Sequence, residues 1–274
     1  MTFFEWYKTS QLENIDAKLI LKKITGYTMA QLAARWLDPI EECWLEPLKH
    51  LRNRRLAGEP MAYIIGYQEF YGRCFITTPD VLIPRPETEH LIDYILQAFP
   101  ASTNLNVWDL ATGSGIIGIT LQLERPHWHI LASDISVAAL KIAQKNNQVL
   151  GSQVIFTQGS WFNISPLPMP ASFDLLVSNP PYIPAGDQHL SQGDLRFEPP
   201  IALTDFQDGL KNFRILVQGA RKWLKAGGHI CLEHGYNQGQ RVRELLQQHS
   251  FTKIKTFPDY AGIDRLTVAV KPSA

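Results

Sequence analysis

The sequence predicts an α/β protein with a mostly parallel sheet, preceded by a small helical domain. Three observations carry this. From residue 107 onward, short apolar runs alternate with amphipathic segments, the pattern of strands joined by crossover helices. Up to about Tyr67 the pattern is helical, with no strand signal. Prolines, glycines and acidic residues gather at the ends of the apolar runs, where parallel sheets place their ligand-binding loops.

Taken in order, residues 17–24 carry apolar side chains at helical spacing and stop at Gly26. Thr28 can cap a helix over 29–37. Asp38-Pro39 predicts a cap followed by a proline in the next first turn. Leucines continue a helical pattern over 41–57, where Pro47 predicts a kink or two short helices. Lys49, Arg52, Arg54 and Arg55 make this stretch basic, as either a solvated helix face or a partner-binding patch. Residues 69–76 read as a hairpin turning at Tyr71-Gly72, and Pro79, Pro84 and Pro86 mark an extended connector. A helix over 86–99 follows. Strands are expected at 107–110, 130–133, 154–157, 173–178, 230–233, 253–257 and 265–270, and helices at 116–123, 137–150, 209–224 and 240–249. The last two strands, joined near Gly262, predict an antiparallel pair. The expected organisation is a helical domain over 1–68, a hairpin and connector over 69–86, and a sheet domain over 87–274.

Composition limits the function. The 274 residues are 45% hydrophobic and 19% charged, enough for one large core or two smaller ones. Formal net charge is zero, which argues against a protein that lives on nucleic acid. Cys43, Cys74 and Cys231 lie far apart, with neither metal-ligand spacing nor the even count of a disulfide framework. His127 and His129 lack a third ligand and read as surface residues. No signal-peptide pattern and no apolar run approaching ~20 residues is present, so a reducing cytoplasm is expected.

The most informative residues are Asn179-Pro180-Pro181-Tyr182, which close the apolar run 173–178. Two prolines cannot continue a central strand, so the chain must leave the sheet extended, with its carbonyls free of local partners. A carboxamide, a free carbonyl and an aromatic ring there suit a planar NH2 group. Such a nitrogen is a poor nucleophile, because resonance worth roughly 18–20 kcal/mol ties up its lone pair. Acceptors placed for a pyramidal nitrogen stabilise the transition state above the ground state. Upstream, residues 109–115 (Asp-Leu-Ala-Thr-Gly-Ser-Gly) turn from a strand into a helix without the dinucleotide or phosphate-loop spacing. Asp134 ends the next strand and can hold ribose hydroxyls or cap the next helix. Trp161 or Phe162 can shelve an adenine or belong to the core. A glycine loop, a ribose acid and an aromatic shelf without phosphate chemistry point to S-adenosylmethionine.

With these residues assembled, the chain resembles the HemK/PrmC family of protein-(glutamine-N5) methyltransferases, which modify peptide chain release factors. The resemblance spans nearly the whole chain. It covers the two motifs above and the connector Leu82-Ile83-Pro84-Arg85-Pro86-Glu87-Thr88-Glu89. It also covers Arg196-Phe197-Glu198-Pro199 with Ala202-Leu203, Asp208-Gly209-Leu210, Glu233-His234-Gly235 and Asp264-Arg265. Asp16-Ala17, Gly58-Glu59-Pro60 and Tyr63-Ile64-Ile65-Gly66 extend it to the helical part. It implies a class I S-adenosylmethionine-dependent methyltransferase fold, Rossmann-like with a seven-stranded, mostly parallel sheet. It implies methyl transfer to the glutamine of the Gly-Gly-Gln loop in class 1 release factors, whose body the small domain would dock. Ala111, Thr112, Gly113, Ser114, Gly115, Asp134, Trp161 and Asn179 would bind the donor. Asn179, Pro180, Pro181 and Tyr182 would bind the glutamine, with Asn179, Pro180 and Tyr182 catalytic. Two departures stand out. The family usually has glycine at Ala111, which implies an ordinary backbone there, and often an acid at Ser160. The tetrapeptide is shared with enzymes acting on adenine N6 or guanine N2 of DNA or RNA, the rival substrates; a non-catalytic donor-binding scaffold is a further rival.

Overall fold

The computed structural model describes residues 1–273. The chain divides into two compact units, Met1–Tyr67 with Ser191–Phe197, and Gln68–Leu190 with the chain from Glu198 onward.

The first unit is built from α1 (Phe3–Thr9), α2 (Asn14–Thr25), α3 (Met29–Ala34), α4 (Glu42–Leu56) and α5 (Met61–Ile65). Thr2 and Thr28 cap α1 and α3 through capping boxes with Glu5 and Gln31. The apolar faces meet in a core of Phe3, Trp6, Ile20, Leu21, Leu48 and Ile64. One expectation fails here and one is narrowed. Asp38-Pro39 does not open α4, whose N-cap is Glu41; Pro39 instead bridges to Thr2. Pro47 does not divide α4, which runs unbroken for 15 residues. The carbonyl it deprives of a donor belongs to Cys43, an exposed residue four positions back that can turn to water. The basic stretch is largely tied down. Arg52 donates to the Ser10 carbonyl at 2.6 Å, Arg55 pairs with the buried Asp16 at 2.6 Å, and Arg54 forks onto Glu59.

The second unit opens with a hairpin, β1 (Tyr67–Phe70) and β2 (Arg73–Ile76). Tyr71 and Gly72 both have positive φ, 51° and 68°, the twist a two-residue hairpin turn needs. Alternation then follows through α6 (Glu87–Ala98), β3 (Asn106–Leu110), α7 (Ile116–Glu124), β4 (His129–Asp134), α8 (Val137–Leu150) and β5 (Ile155–Ser160). Next come the short β6 (Asn163–Ile164), β7 (Phe173–Ser178) and α9 (Pro200–Leu203). The unit closes with α10 (Lys211–Trp223), β8 (Leu224–Glu233), α11 (Gly239–Gln248), β9 (Thr252–Pro258) and β10 (Asp264–Val270).

One sheet has the order β6-β5-β4-β3-β7-β8-β10-β9. The seven expected strands are all present. The eighth, β6, is a two-residue antiparallel addition to β5 that carries no hydrophobic period of its own. β3, β4, β5, β7 and β8 run parallel, and β10 runs antiparallel to both its neighbours. Central strands are apolar on both faces, as helices on both sides require. Val107, Leu175, Val177 and Val268 join the core under α6 and α7, while Trp108, Leu176, Ile230 and Ala269 join the core under α10 and α11.

The strand order reverses between β3 and β7, opening a crevice at their carboxyl ends. Phe213 on α10 is wholly buried in the second core, close-packed without room to relax. Phe213→Ala is expected to destabilise this unit by about 3–5 kcal/mol in urea unfolding followed by tryptophan fluorescence; a loss within measurement error would show that the core collapses around the gap.

Candidate functional site

Sheet register assembles the site. Leu110 of β3 pairs with Ser133 of β4 and Ser178 of β7, and Ser178 pairs with Leu232 of β8. One residue further along each strand stand Asp134, Ala111, Asn179 and Glu233, a row across the rim of the sheet. The crevice above it is a cavity of about 350 Å³. Its lining includes Ala111, Thr112, Gly113, Ser114, Asp134, Ser160, Trp161, Asn179 and Pro181. A volume of that order suits a small molecule.

The loop after β3 is shaped by positive φ at Ala111 (59°), Gly113 (56°) and Gly115 (86°). Ala111 therefore does not have the ordinary backbone expected of it. The chain must turn sharply out of β3, and alanine accepts the left-handed region at a modest cost that a bulkier side chain would exceed. A Cβ added at Gly113 would stand in open space, so the loop has room for a ligand there. A Cβ at Gly115 would meet Ile119 Cδ1 at 2.7 Å, so that glycine serves the packing of α7. The loop is also held from below. The Asp109 carboxylate accepts from the Thr112 hydroxyl at 2.5 Å and the Gly118 amide at 3.0 Å, while its Oδ1 has no partner. Burial pushes this acid up to about 7.

Asp134 accepts from the Gly113 amide at 2.9 Å and the Ser136 amide at 2.8 Å. It does not cap α8; Ser136 does, accepting from the Ala139 amide. Asp134 lines the cavity, and burial raises its carboxyl. Trp161 and Phe162 both pack against the second core; Phe162 rests on Trp108, Trp223 and Gly219, while Trp161 also lines the cavity. The glycine loop, the carboxylate and the half-buried indole that were expected to hold a methyl donor thus line one cavity.

At the other wall, β7 ends at Ser178 and the prolines lead the chain out. The carbonyls of this segment are not equivalent. Asn212 Nδ2 donates to the Pro181 carbonyl at 2.7 Å, and Gln238 Nε2 donates to the Tyr182 carbonyl at 2.9 Å. The Pro180 carbonyl accepts no hydrogen bond from the described residues. Gln238 is fixed in turn by the Gly235 amide and the Gly209 carbonyl. Gly209 (φ 79°) has to be glycine, because a Cβ there would lie 2.6 Å from the Tyr182 carbonyl. Asn179 donates through Nδ2 to Thr88 Oγ1 at 3.3 Å, which leaves its Oδ1 for a ligand. Tyr182 packs against the second core, and burial, with the Glu233 carboxylate nearby, raises its phenol well above the ordinary value.

Asn212, Gln238, Asp109 and Glu233 are the supporting residues that sequence reasoning did not assign. The motif Glu233-His234-Gly235 and the loop motif 109–115 signalled two of them, Glu233 and Asp109. Two other motifs turn out to be one structure: buried Glu198 accepts from the Ile83 amide at 2.9 Å and pairs with Arg85, clamping the connector.

Comparison with known proteins identifies the family. Residues 90–193 match the methyltransferase small domain and residues 8–66 the PrmC N-terminal domain. The chain is 50% identical over 268 residues to a release factor glutamine methyltransferase of Neisseria gonorrhoeae, covering 98% of this chain and 97% of that one. A protein of the same name from Bordetella pertussis is 43% identical, covering 93% and 94%. In fold, the chain resembles a methyltransferase from Pyrococcus furiosus (TM-score 0.57, 16% identity, covering 82% of this chain and 100% of that one). It also resembles a ribosomal protein L11 methylase from Lactobacillus delbrueckii (TM-score 0.50, 20% identity, covering 76% and 90%). Among the described residues no helix is long and apolar enough to cross a membrane.

The raised Asp109 has a thermodynamic consequence. Its carboxyl ionises near 3.8 when unfolded and at about 7 when folded, so its contribution is complete below about pH 4 and is lost as pH climbs to 7. Asp109→Asn cannot ionise. The Tm of the variant minus that of wild type should rise between about pH 4 and 7 and then level off; a pH-independent difference would refute the assignment.

Proposed function

This chain belongs to the release factor glutamine methyltransferases, and we propose that the Asn179 to Tyr182 segment receives the amide that it modifies. The protein transfers a methyl group from S-adenosylmethionine to the side-chain nitrogen of a release factor glutamine. The acceptor proposed is the glutamine of the Gly-Gly-Gln motif in class 1 release factors, in the cytoplasm, with the helical unit docking the factor's body. The nucleic-acid alternative, adenine N6 or guanine N2, is not favoured by relatives that carry the release factor name.

The observation that carries the site assignment is the division of labour among three carbonyls. Those of Pro181 and Tyr182 are taken, and that of Pro180, next in the chain to Asn179, accepts no hydrogen bond from the described residues. That carbonyl and Asn179 Oδ1 can each take one N–H of a primary amide. When bound, S-adenosylmethionine supplies an electrophilic methyl group on a sulfonium centre. Ala111 to Gly115, Asp134, Trp161 and Asn179 are the residues proposed to hold it. As the amide nitrogen pyramidalises, its N–H groups become more acidic, and the Asn179 and Pro180 oxygens bind them more tightly than in the planar state. Tyr182 presents a ring against which the flat amide is held. No base is required of the protein, since an N-alkylated, protonated amide gives its proton to water. Fixing both partners in one crevice contributes about 7–11 kcal/mol to lowering the barrier.

The direct test is transfer of labelled methyl to purified release factor, beside a Gln→Ala variant of its Gly-Gly-Gln loop. Label on the wild-type factor alone supports the reading, whereas label appearing instead on added DNA or ribosomal RNA would replace it. Asn179→Ala should lower turnover by on the order of 10²–10³ while the chain still folds; undiminished turnover would refute the acceptor role. Asp134→Ala should weaken donor binding by roughly tenfold to a hundredfold in isothermal titration, the loss of charge-assisted hydrogen bonds. Unchanged binding would remove Asp134 from the donor site.

A further inference from the structure

Phe206 stands in a conformation that its side chain resists. Its φ is 58°, in the left-handed region, where a bulky residue is an outlier and glycine would sit without cost. It is also 60% exposed, so burial of the ring does not compensate. Yet Phe206 lines the same cavity as Asp134 and Asn179. A strained, exposed aromatic residue at a cavity calls for a use outside the fold.

A firm loop imposes the strain. Thr204 Oγ1 accepts from the Phe206 amide at 3.0 Å. Asp205, 3% exposed, accepts from the Gln207 amide at 2.8 Å and the Lys211 amide at 2.9 Å. Two backbone bonds lace this loop to the chain just past Tyr182. The Ile183 amide donates to the Leu203 carbonyl at 3.0 Å, and the Ala185 amide to the Gln207 carbonyl at 2.8 Å. The loop then enters α10, whose Asn212 holds the Pro181 carbonyl. The loop that carries Phe206 is thus fastened on both sides to the acceptor segment and its continuation. That segment leaves β7, whereas Trp161 follows β5, and β3 and β4 lie between those strands. The two aromatic residues lining the cavity therefore serve different sides of it, Trp161 the donor side and Phe206 the acceptor side.

A glutamine side chain is short. An amide held at Asn179 keeps the peptide that bears it at the mouth of the cavity, where an exposed ring is fixed beside the acceptor segment. In a Gly-Gly-Gln sequence the residues before the glutamine have no side chain. Glycine lets a backbone lie close against a flat ring, and a side chain in its place would be driven onto that ring.

We propose that Phe206 is a specificity-determining contact for the acceptor, its ring packing against the glycine backbone before the target glutamine and selecting for residues without a side chain there. The inference rests on the assignment of the Gly-Gly-Gln glutamine as the acceptor.

The test is steady-state methyl transfer by the full chain at saturating donor, with S-adenosylmethionine affinity measured by isothermal titration. Purified release factor is used with its natural loop and with the glycine next to the glutamine changed to alanine. Phe206→Ala should lower kcat/KM for the natural factor by about tenfold or more, the loss of an aromatic contact buried on binding. Donor affinity should stay within about twofold. Wild-type protein should disfavour the Gly→Ala factor by about tenfold or more, and Phe206→Ala should narrow that ratio to about threefold or less. Phe206→Tyr keeps the ring and should stay within about threefold of wild type. Phe206→Gly separates strain from function. Its Tm should equal or exceed that of wild type, because the left-handed backbone is relieved, while kcat/KM falls as in Phe206→Ala. Wild-type protein that labels the factor while Phe206→Ala keeps its kcat/KM overturns this inference alone. So do equal losses on the two factors, or a fall confined to donor affinity, which would move the ring to the donor side. No label on the natural factor with wild-type protein would instead remove the acceptor reading, and this inference with it.

Discussion

Two consecutive prolines at the end of a central strand impose the constraint on which the site depends. Pro180 and Pro181 carry no N–H, so the segment can neither pair with the sheet nor fold back on itself. Its carbonyls must find partners elsewhere or stay open. The fold supplies donors to two of them, Asn212 from α10 and Gln238 from the start of α11, and leaves the third without a hydrogen bond from the described residues. The supports are themselves supported. Gln238 is held by Gly235 and Gly209, and Gly209 is the residue small enough to let the Tyr182 carbonyl come within 2.6 Å of where a Cβ would be. Motifs spread over the C-terminal half thus converge on one short stretch of backbone.

The second theme is the placement of buried acids. Asp109 and Glu233 are both driven up to about 7 by burial, and each has an oxygen with no hydrogen bond. Such groups lower stability, so their retention calls for a local reason. Asp109 anchors the turn that the loop after β3 must make. Glu233 stands at the rim beside Asn179, one step past the paired residues Ser178 and Leu232. Asp109 lies on β3, which borders the crevice, and Glu233 ends β8, the strand beyond β7.

Much of the fold was legible in the residues. The seven long strands, the hairpin at Tyr71-Gly72 and the antiparallel end of the sheet follow from hydrophobic period and turn residues, which report local geometry. β6 escaped because two residues have no period. Asp38-Pro39 misled because the bridge from Pro39 to Thr2 overrides local preference. Ala111 misled in the opposite sense. Its side chain suggested an ordinary backbone, yet the exit from β3 imposes φ 59° whatever residue stands there.

By itself the sequence determined which chemistry was on offer: a carboxamide before two prolines, a glycine loop, an acid and an indole at strand ends. These are matters of residue type and neighbour, and neighbours in the chain are visible in the chain. Only the tertiary structure decided how they meet. Parallel register sets Asp134, Ala111, Asn179 and Glu233 side by side one step past paired residues. The turn of the backbone rests Phe162 on Trp108 and leaves Trp161 lining the cavity. Distant donors choose which proline carbonyl stays free. Those outcomes depend on contacts between residues many tens of positions apart, and no local pattern encodes a long-range hydrogen bond.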